Sequence, residues 1–338
     1  MAIDATPGMG DNADKESGIV LDPEYRMVFD DRAIMDLLLT DRTTERNIVW
    51  ATDSYADKGE GYGPGDCIQH LFLMDHNNVI RPRTLKTGDE QKDRTVDHAE
   101  VFTPPWIVNR QNNLVDEQWI GVTNPFNTDN GKEWTPNEKV NLGDKTWMAY
   151  VRSPRLEVCC GEAPYITTRY DAVTGSEISV KARVGLLDRK LRVVSENAVS
   201  EEEWLEWAKI GMQNIYGYEM QGDSLLLARE NILLTYIEHF RDRFMKDPER
   251  DMLLEIAEII SWNIWQMDGI KNMPPFPLIK PAWDEYVGSL KIPHPEVKRD
   301  YCRIKDWNTG EIEKFFVKEK AQLKKEAAKF GKIDGWLK

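Results

Sequence analysis

Histidine and cysteine are scarce in this chain, and their scarcity removes whole classes of chemistry. Five histidines are scattered over 338 residues with no Ser or Cys partner pattern, so hydrolysis by an activated nucleophile is unsupported. Four cysteines, two of them adjacent as Cys159 and Cys160, make no disulfide framework and read as the reduced thiols of a cytoplasmic protein. No Cys-x-x-Cys or His-x-x-x-His spacing occurs, so no metal is expected. Also missing is any apolar run near the roughly 20 residues that a membrane span needs, so no membrane partner is expected. Residues 1–17 are polar and acidic, which excludes a secretory signal and suggests a floppy tail. The last shortage is positive charge. Lys and Arg number 44 against 58 Asp and Glu, a net charge of -14. Phosphate contacts supply most non-specific affinity for nucleic acid. A nucleic-acid role therefore needs either a basic cleft within the acidic total or a partner that does the gripping.

What is present fits a folded protein: 41% hydrophobic and 30% charged residues, in a length sufficient for one large domain or two smaller ones. A helix is expected around residues 30–39, and Asn47-Ile48-Val49-Trp50 reads as a short strand. The glycines 59, 61, 63 and 65, with Tyr62 and Pro64 among them, make a loop. It lacks the Gly-x-Gly-x-x-Gly pattern and the following Lys-Ser of a phosphate cradle. Residues 66–98, with Arg81, Arg83, Lys86, Lys92 and Arg94 among acids, read as a solvated surface or as a phosphate-contacting arm. From Pro105 the pattern turns helical. Residues 121–146 read as an irregular connection, and 166–184 as a hairpin around Val173-Thr174-Gly175. Ser200 and Glu203 suggest a capping box before a helix with Trp204, Trp207, Ala208, Gly211, Met212 and Ile215 on one face. A strand at 215–219, a long apolar helix at about 224–244 and a further helix after Asp247-Pro248 complete a strand–helix alternation that argues for an α/β core. Trp204, Trp207, Trp262 and Trp265 read as core, whereas Trp307, between Asp306 and Asn308, is a stacking candidate. The Lys-rich stretch 311–338 reads as an amphipathic terminal helix.

Two segments carry the chemistry. Leu156-Glu157-Val158-Cys159-Cys160-Gly161 is an apolar strand with an acid, followed by a turn of small residues. Tyr216-Gly217-Tyr218-Glu219 is a second strand ending in an acid. In an α/β sheet, ligands sit outside the carboxyl ends of the strands. A tight turn after one strand lets the backbone approach a cofactor, and an acid at the tip of the next accepts from ribose hydroxyls.

These segments resemble motifs I and II of the N6-adenine DNA methyltransferases. Phe102-Thr103-Pro104 resembles their motif X, and Asn263-Ile264-Trp265-Gln266-Met267-Asp268-Gly269 resembles motif III. The order X, I, II, III is similar to that of type I and type IIG modification enzymes, and the resemblance spans about residues 45–275. It implies a Rossmann-type, class I methyltransferase-like sheet with helices on both faces. It implies an extension over residues 1–98, a cofactor domain over 99–290 and an appendage over 291–338. It also implies S-adenosylmethionine as cofactor, held by Phe102, Thr103, Pro104, Glu157, Cys159, Gly161, Glu219 and Asp268. DNA is the implied partner, with a separate specificity subunit to recognise its sequence. The family's catalytic segment, Asn or Asp followed by Pro, Pro and an aromatic, is met by Asn272-Met273-Pro274-Pro275-Phe276 with one residue too many. There Asn272 would accept from the target amino group and Phe276 would stack on a flipped base, beside Pro274 and Pro275. Asn124-Pro125-Phe126 is a second, shorter match. Ala163 stands where the family has a second glycine, and the interval from Glu157 to Glu219 is longer than the family's. The alternatives to a DNA methyltransferase are a binding protein of the same descent, with reduced catalysis and a protein or DNA partner, and a methyltransferase acting on RNA or protein.

Overall fold

The computed structural model describes residues 30–75, 79–82, 103–171, 173–276 and 300–315, together with the backbone of short strands between 278 and 298. In chain order the helices are α1 (Arg32–Leu39), α2 (His70–Asp75), α3 (Pro105–Ile120), α4 (Trp147–Arg152), α5 (Leu186–Asn197), α6 (Glu201–Gln213), α7 (Gly222–Phe244) and α8 (Arg250–Asn263). The strands are β1 (Thr40–Asp41), β2 (Arg46–Asn47), β3 (Asn127–Asp129), β4 (Trp134–Pro136), β5 (Arg155–Val158), β6 (Ile215–Glu219), β7 (Ile264–Gln266), β8 (Leu278–Ala282), β9 (Tyr286–Val287), β10 (Leu290–Lys291), β11 (His294–Lys298), β12 (Arg303–Lys305) and β13 (Ile312–Lys314). The chain is α/β. Phe102, Arg83, Lys86, Lys92, Arg94 and the Lys-rich stretch beyond 315 lie outside the described residues.

Local chemistry explains the main elements. Ser200 caps α6, its Oγ accepting from Glu203 N at 3.2 Å, and the Glu203 carboxylate accepts from Val199 N at 2.8 Å. The reciprocal bond of the expected capping box thus reaches one residue further back. Pro105 opens α3, where a missing N–H costs nothing. Every apolar residue expected on the inner side of α6 is buried, as are the expected core positions of α8. The 121–146 connection is more ordered than its composition suggests, since β3 and β4 pair within it. Among the described residues, the hairpin expected at 166–184 reduces to one bridge, Tyr170 with Glu177.

β5, β6 and β7 form a parallel sheet in the order β5-β6-β7. Leu156 stands beside Tyr216, Val158 beside Tyr218, and Tyr218 beside Trp265. Two crossovers running in one direction place their helices on the same face when both are right-handed. The large core agrees with this. It joins Ile215 and Ile264 to Leu187, Leu191, Trp204, Leu225, Ile232 and Ile260 from α5 to α8. The other face, expected to carry helices, carries the β12–β13 hairpin at β6 and β7. There Tyr218, Trp265, Met267 and Cys302 form a separate cluster closed by Phe315. The Phe315 ring lies 4.9 Å from that of Trp265 and 6.2 Å from that of Tyr218. Residues 311–315 are therefore strand and packing residue, not the start of a helix.

Two buried polar side chains tie the N-terminal segment to this core. Arg229 of α7 donates to the carbonyls of Leu38, Thr40 and Ile264, joining α1 and β1 to the foot of β7. Gln266 accepts from Val49 N at 2.9 Å and donates to Val49 O at 2.7 Å and Met220 O at 2.8 Å, so its amide stands in for a strand neighbour. Gly222 is the one residue that fits at the head of α7, because a Cβ there would collide with the Val49 carbonyl. Trp307 is fixed rather than free to stack. Its Nε1 donates to Asn263 at 2.7 Å and Lys305 Nζ sits 4.4 Å from its ring.

Candidate functional site

The turn after β5 is held in an unusual backbone path. Cys159, Gly161 and Ala163 have φ of +51°, +54° and +63°, so alternate residues adopt the left-handed conformation that favours glycine. A glycine at position 163 would adopt this conformation without the steric cost of a Cβ. Cys160 N donates to Tyr218 O at 2.9 Å, which carries the turn across to the tip of β6.

The two strand acids come together, in different roles. Glu219 ends β6 and is half-buried. One carboxylate oxygen accepts from Gly161 N at 2.9 Å, the other from Met220 N at 2.8 Å and Gln221 N at 3.1 Å. Burial raises its carboxyl above the usual range against the pull of these three N–H groups. Glu157, by contrast, points into the fold. Its oxygens accept from Tyr165 N at 3.2 Å and Ile166 N at 3.1 Å, so it shapes the far side of the turn. Burial pushes its carboxyl up to about 8, the two N–H bonds oppose that, and the charge of Glu219 adds to it. Cys160 is buried packing, while Cys159 is exposed, its thiol raised first by burial and then by Glu219.

Asp268 follows β7 and is engaged locally. It accepts from Ile270 N at 3.0 Å, Lys271 N at 3.1 Å and Lys271 Nζ at 2.6 Å. Burial raises its carboxyl, but these donors, Lys271 first, outweigh burial and leave it lowered. The turn closes at Asn272, whose φ is +57°, through Asn272 N on Asp268 O at 2.8 Å and Asp268 N on Met273 O at 2.8 Å. Asn272 Oδ1 is buried without a donor. Pro274 and Pro275 are half-buried and Phe276 is 37% exposed. This segment adjoins β7, with β6 between it and the β5 turn.

The Phe-Thr-Pro segment does meet the β5 turn. Thr103, Pro105 and Val108 line one wall of a small open cleft, and Glu162, Pro164 and Thr167 line another. Pro104 is the N-cap of α3 and accepts from Ile107 N and Val108 N. The floor holds three residues that sequence reading did not assign: Arg169, Tyr170 and Asn231. Tyr170 donates to Glu162 at 3.0 Å, Asn231 donates to Glu162 O at 3.1 Å, and Arg169 donates to Asn231 at 3.3 Å and to Glu238 at 3.0 Å. The available signal was Arg229-Glu230-Asn231, a polar interruption of an otherwise apolar helix.

Among the described residues no group of three or more His, Cys, Asp or Glu side chains is arranged to hold a metal, and no helix is long and apolar enough to cross a membrane. Comparison of the chain with protein-family models, with curated proteins and with solved structures finds no match. The fold and cleft define an α/β protein whose candidate ligand site lies at the carboxyl ends of a parallel sheet.

Proposed function

We propose that this chain binds S-adenosylmethionine at the carboxyl ends of β5 and β6 and serves the methylation of DNA amino groups, with adenine N6 as the target. The observation that carries the reading is the meeting of the Gly161 turn with Glu219, at 2.9 Å, from strand tips 58 residues apart in sequence. The residues suit the cofactor. An ionised carboxylate offers about four lone-pair sites, and Glu219 has three engaged, which leaves one for a ribose hydroxyl. Met220 and Ile270, 41% and 95% exposed, offer apolar surface beside Glu219 and Asp268 for a purine ring. On this reading the amino-acid end would lie toward the cleft under Thr103, beside Arg169 and Glu162. The cofactor, when bound, supplies an electrophilic sulfonium methyl group.

Titration calorimetry of the purified chain with S-adenosylmethionine tests the cofactor reading. Binding is expected, weakened by about 10- to 100-fold in Glu219→Ala, as suits the loss of a charged hydrogen-bond acceptor. No heat and no thermal stabilisation by the cofactor would reject it. A second reading, a cofactor-binding chain that transfers no methyl by itself, is favoured by the position of Asn272 on the β7 side. Tritiated methyl transfer to duplex DNA decides between the two. Transfer by the chain alone, lost in Asn272→Ala, supports catalysis at 272–276, and transfer unchanged in that variant removes Asn272 from the base-holding role.

A further inference from the structure

Parallel sheets are normally covered on both faces, and a strand left at an edge presents unpaired backbone groups. β5 departs from both rules. Among the described residues no strand pairs with its outer side, while β8 and β11 pair with each other. On the face away from the helices, Tyr218 and Trp265 are covered by Phe315, yet the neighbouring Leu156 and Val158 are 44% and 59% exposed. Helix α3 runs beside the same strand, with its first turn at the cleft after β5 and Trp119 in its last turn near Arg155. It too exposes apolar side chains, Leu114 at 66% and Val115 at 44%.

The position of this edge matters. Strands in the order β5-β6-β7, joined by crossovers in one direction, make one half of a doubly wound sheet. In such sheets the ligand crevice lies where the strand order reverses, which here is the outer edge of β5. Among the described residues the sheet is therefore unfinished on that side. We propose that the outer edge of β5 docks a strand of a second, basic polypeptide that completes the sheet and walls the cleft. The wall rests on the cofactor reading, whereas the docking edge does not.

Charge selects the occupant. The chain carries -14, so a cationic partner is attracted and an acidic one repelled. A second copy is the poorer fit. It brings the same net charge of -14 to the contact. A strand with alternate apolar residues suits addition to such an edge, main-chain bonds giving affinity and side chains specificity.

Photo-crosslinking in the natural host tests this. A benzophenone side chain is placed at Val158 and, as reference, at Met245, which is 88% exposed at the end of α7. The expected result is a dominant adduct at 158 and not at 245, identified by mass spectrometry as a basic protein joined through an apolar-alternating segment. That protein, purified, should slow hydrogen exchange of the outward β5 amides by about tenfold or more, and Leu156→Lys with Val158→Lys should weaken its binding by about tenfold or more. Both replaced residues are exposed, so the doubly substituted chain should keep its unfolding midpoint. A link from 158 back to this chain, a homodimer link, equal adducts at both positions, or none, would each overturn the proposal. Calorimetry of the chain alone reads cofactor binding separately. Binding without a partner adduct sinks the docking edge and spares the cofactor site, and an adduct without cofactor binding does the reverse.

Discussion

Alternate residues of the β5 turn hold positive φ, and only one of them is glycine, so the turn stores strain at Cys159 and Ala163. Cys159 is exposed, so its replacement loses little packing. Cys159→Gly is expected to stabilise the fold by about 0.5–1 kcal/mol, the relief of a left-handed Cβ outweighing the entropy of a new glycine. Gly161→Ala should destabilise by about 1 kcal/mol through backbone strain alone, since a Cβ there meets nothing within 4 Å. Urea denaturation of both variants checks the pair. The reverse order would mean that the turn adopts a different path. Glu157 makes a second residue-level prediction. Its carboxyl sits at about 8 in the fold against 4.5 ordinarily, so the folded chain holds a proton that the unfolded chain releases between those values. Stability contributed by the protonated form is complete below about 4.5 and is lost as pH rises through about 8, with a fall on the order of a few kcal/mol. Glu157→Gln should flatten the decline of the thermal midpoint between pH 5 and 8. A wild-type midpoint constant over that range would place Glu157 in a wetter setting.

Among the elements, those with a clean period were legible. α6, α7, α8 and β6 follow their apolar spacing, and Glu219 was found because a strand ending in an acid is short and well bounded. α5 escaped because its sequence carries Arg189, Lys190 and Arg192 on sides that end up buried. Their partners come from far along the chain: Arg189 on Asp116 at 2.7 Å and on Asn113 at 2.7 Å, Lys190 on the carbonyls of Val151 at 2.6 Å and Ser153 at 2.5 Å, and Arg192 on Asn137 O at 2.6 Å. A local pattern cannot announce charges that are paid for by such distant partners. The floor of the cleft was hidden for the same reason, since Arg169 and Asn231 meet only in the fold. Arg229 shows how much one such joint carries. It bonds the carbonyls of Leu38 and Thr40 to the foot of β7. Arg229→Met should cost roughly 3–5 kcal/mol, because it leaves several buried acceptors without a donor. Denaturant unfolding measures it, and a loss below about 1 kcal/mol would mean that water reaches those carbonyls.

For the molecule as a whole, charge sets the terms of any dealing with DNA. A groove that grips a duplex neutralises several phosphates and shows an affinity that falls steeply with salt, by about 0.9 logarithmic units per contact. The chain has 14 more acidic than basic side chains. Many cations of the described core are already engaged: Arg189 with Asp116, Arg169 and Arg183 with Glu238, and Lys190 with carbonyls. The cleft offers Arg169 held by Glu238, not a run of free cations. The isolated chain should therefore hold a 30-base-pair duplex no more tightly than roughly 10⁻⁴ M at physiological salt, the weak end of non-specific binding, while still taking up S-adenosylmethionine. Fluorescence anisotropy over a salt series checks this. Tight binding with a slope of about -5 or steeper would reveal a basic groove in this acidic chain, and the phosphate grip would then belong to the chain itself rather than to a cationic partner at β5.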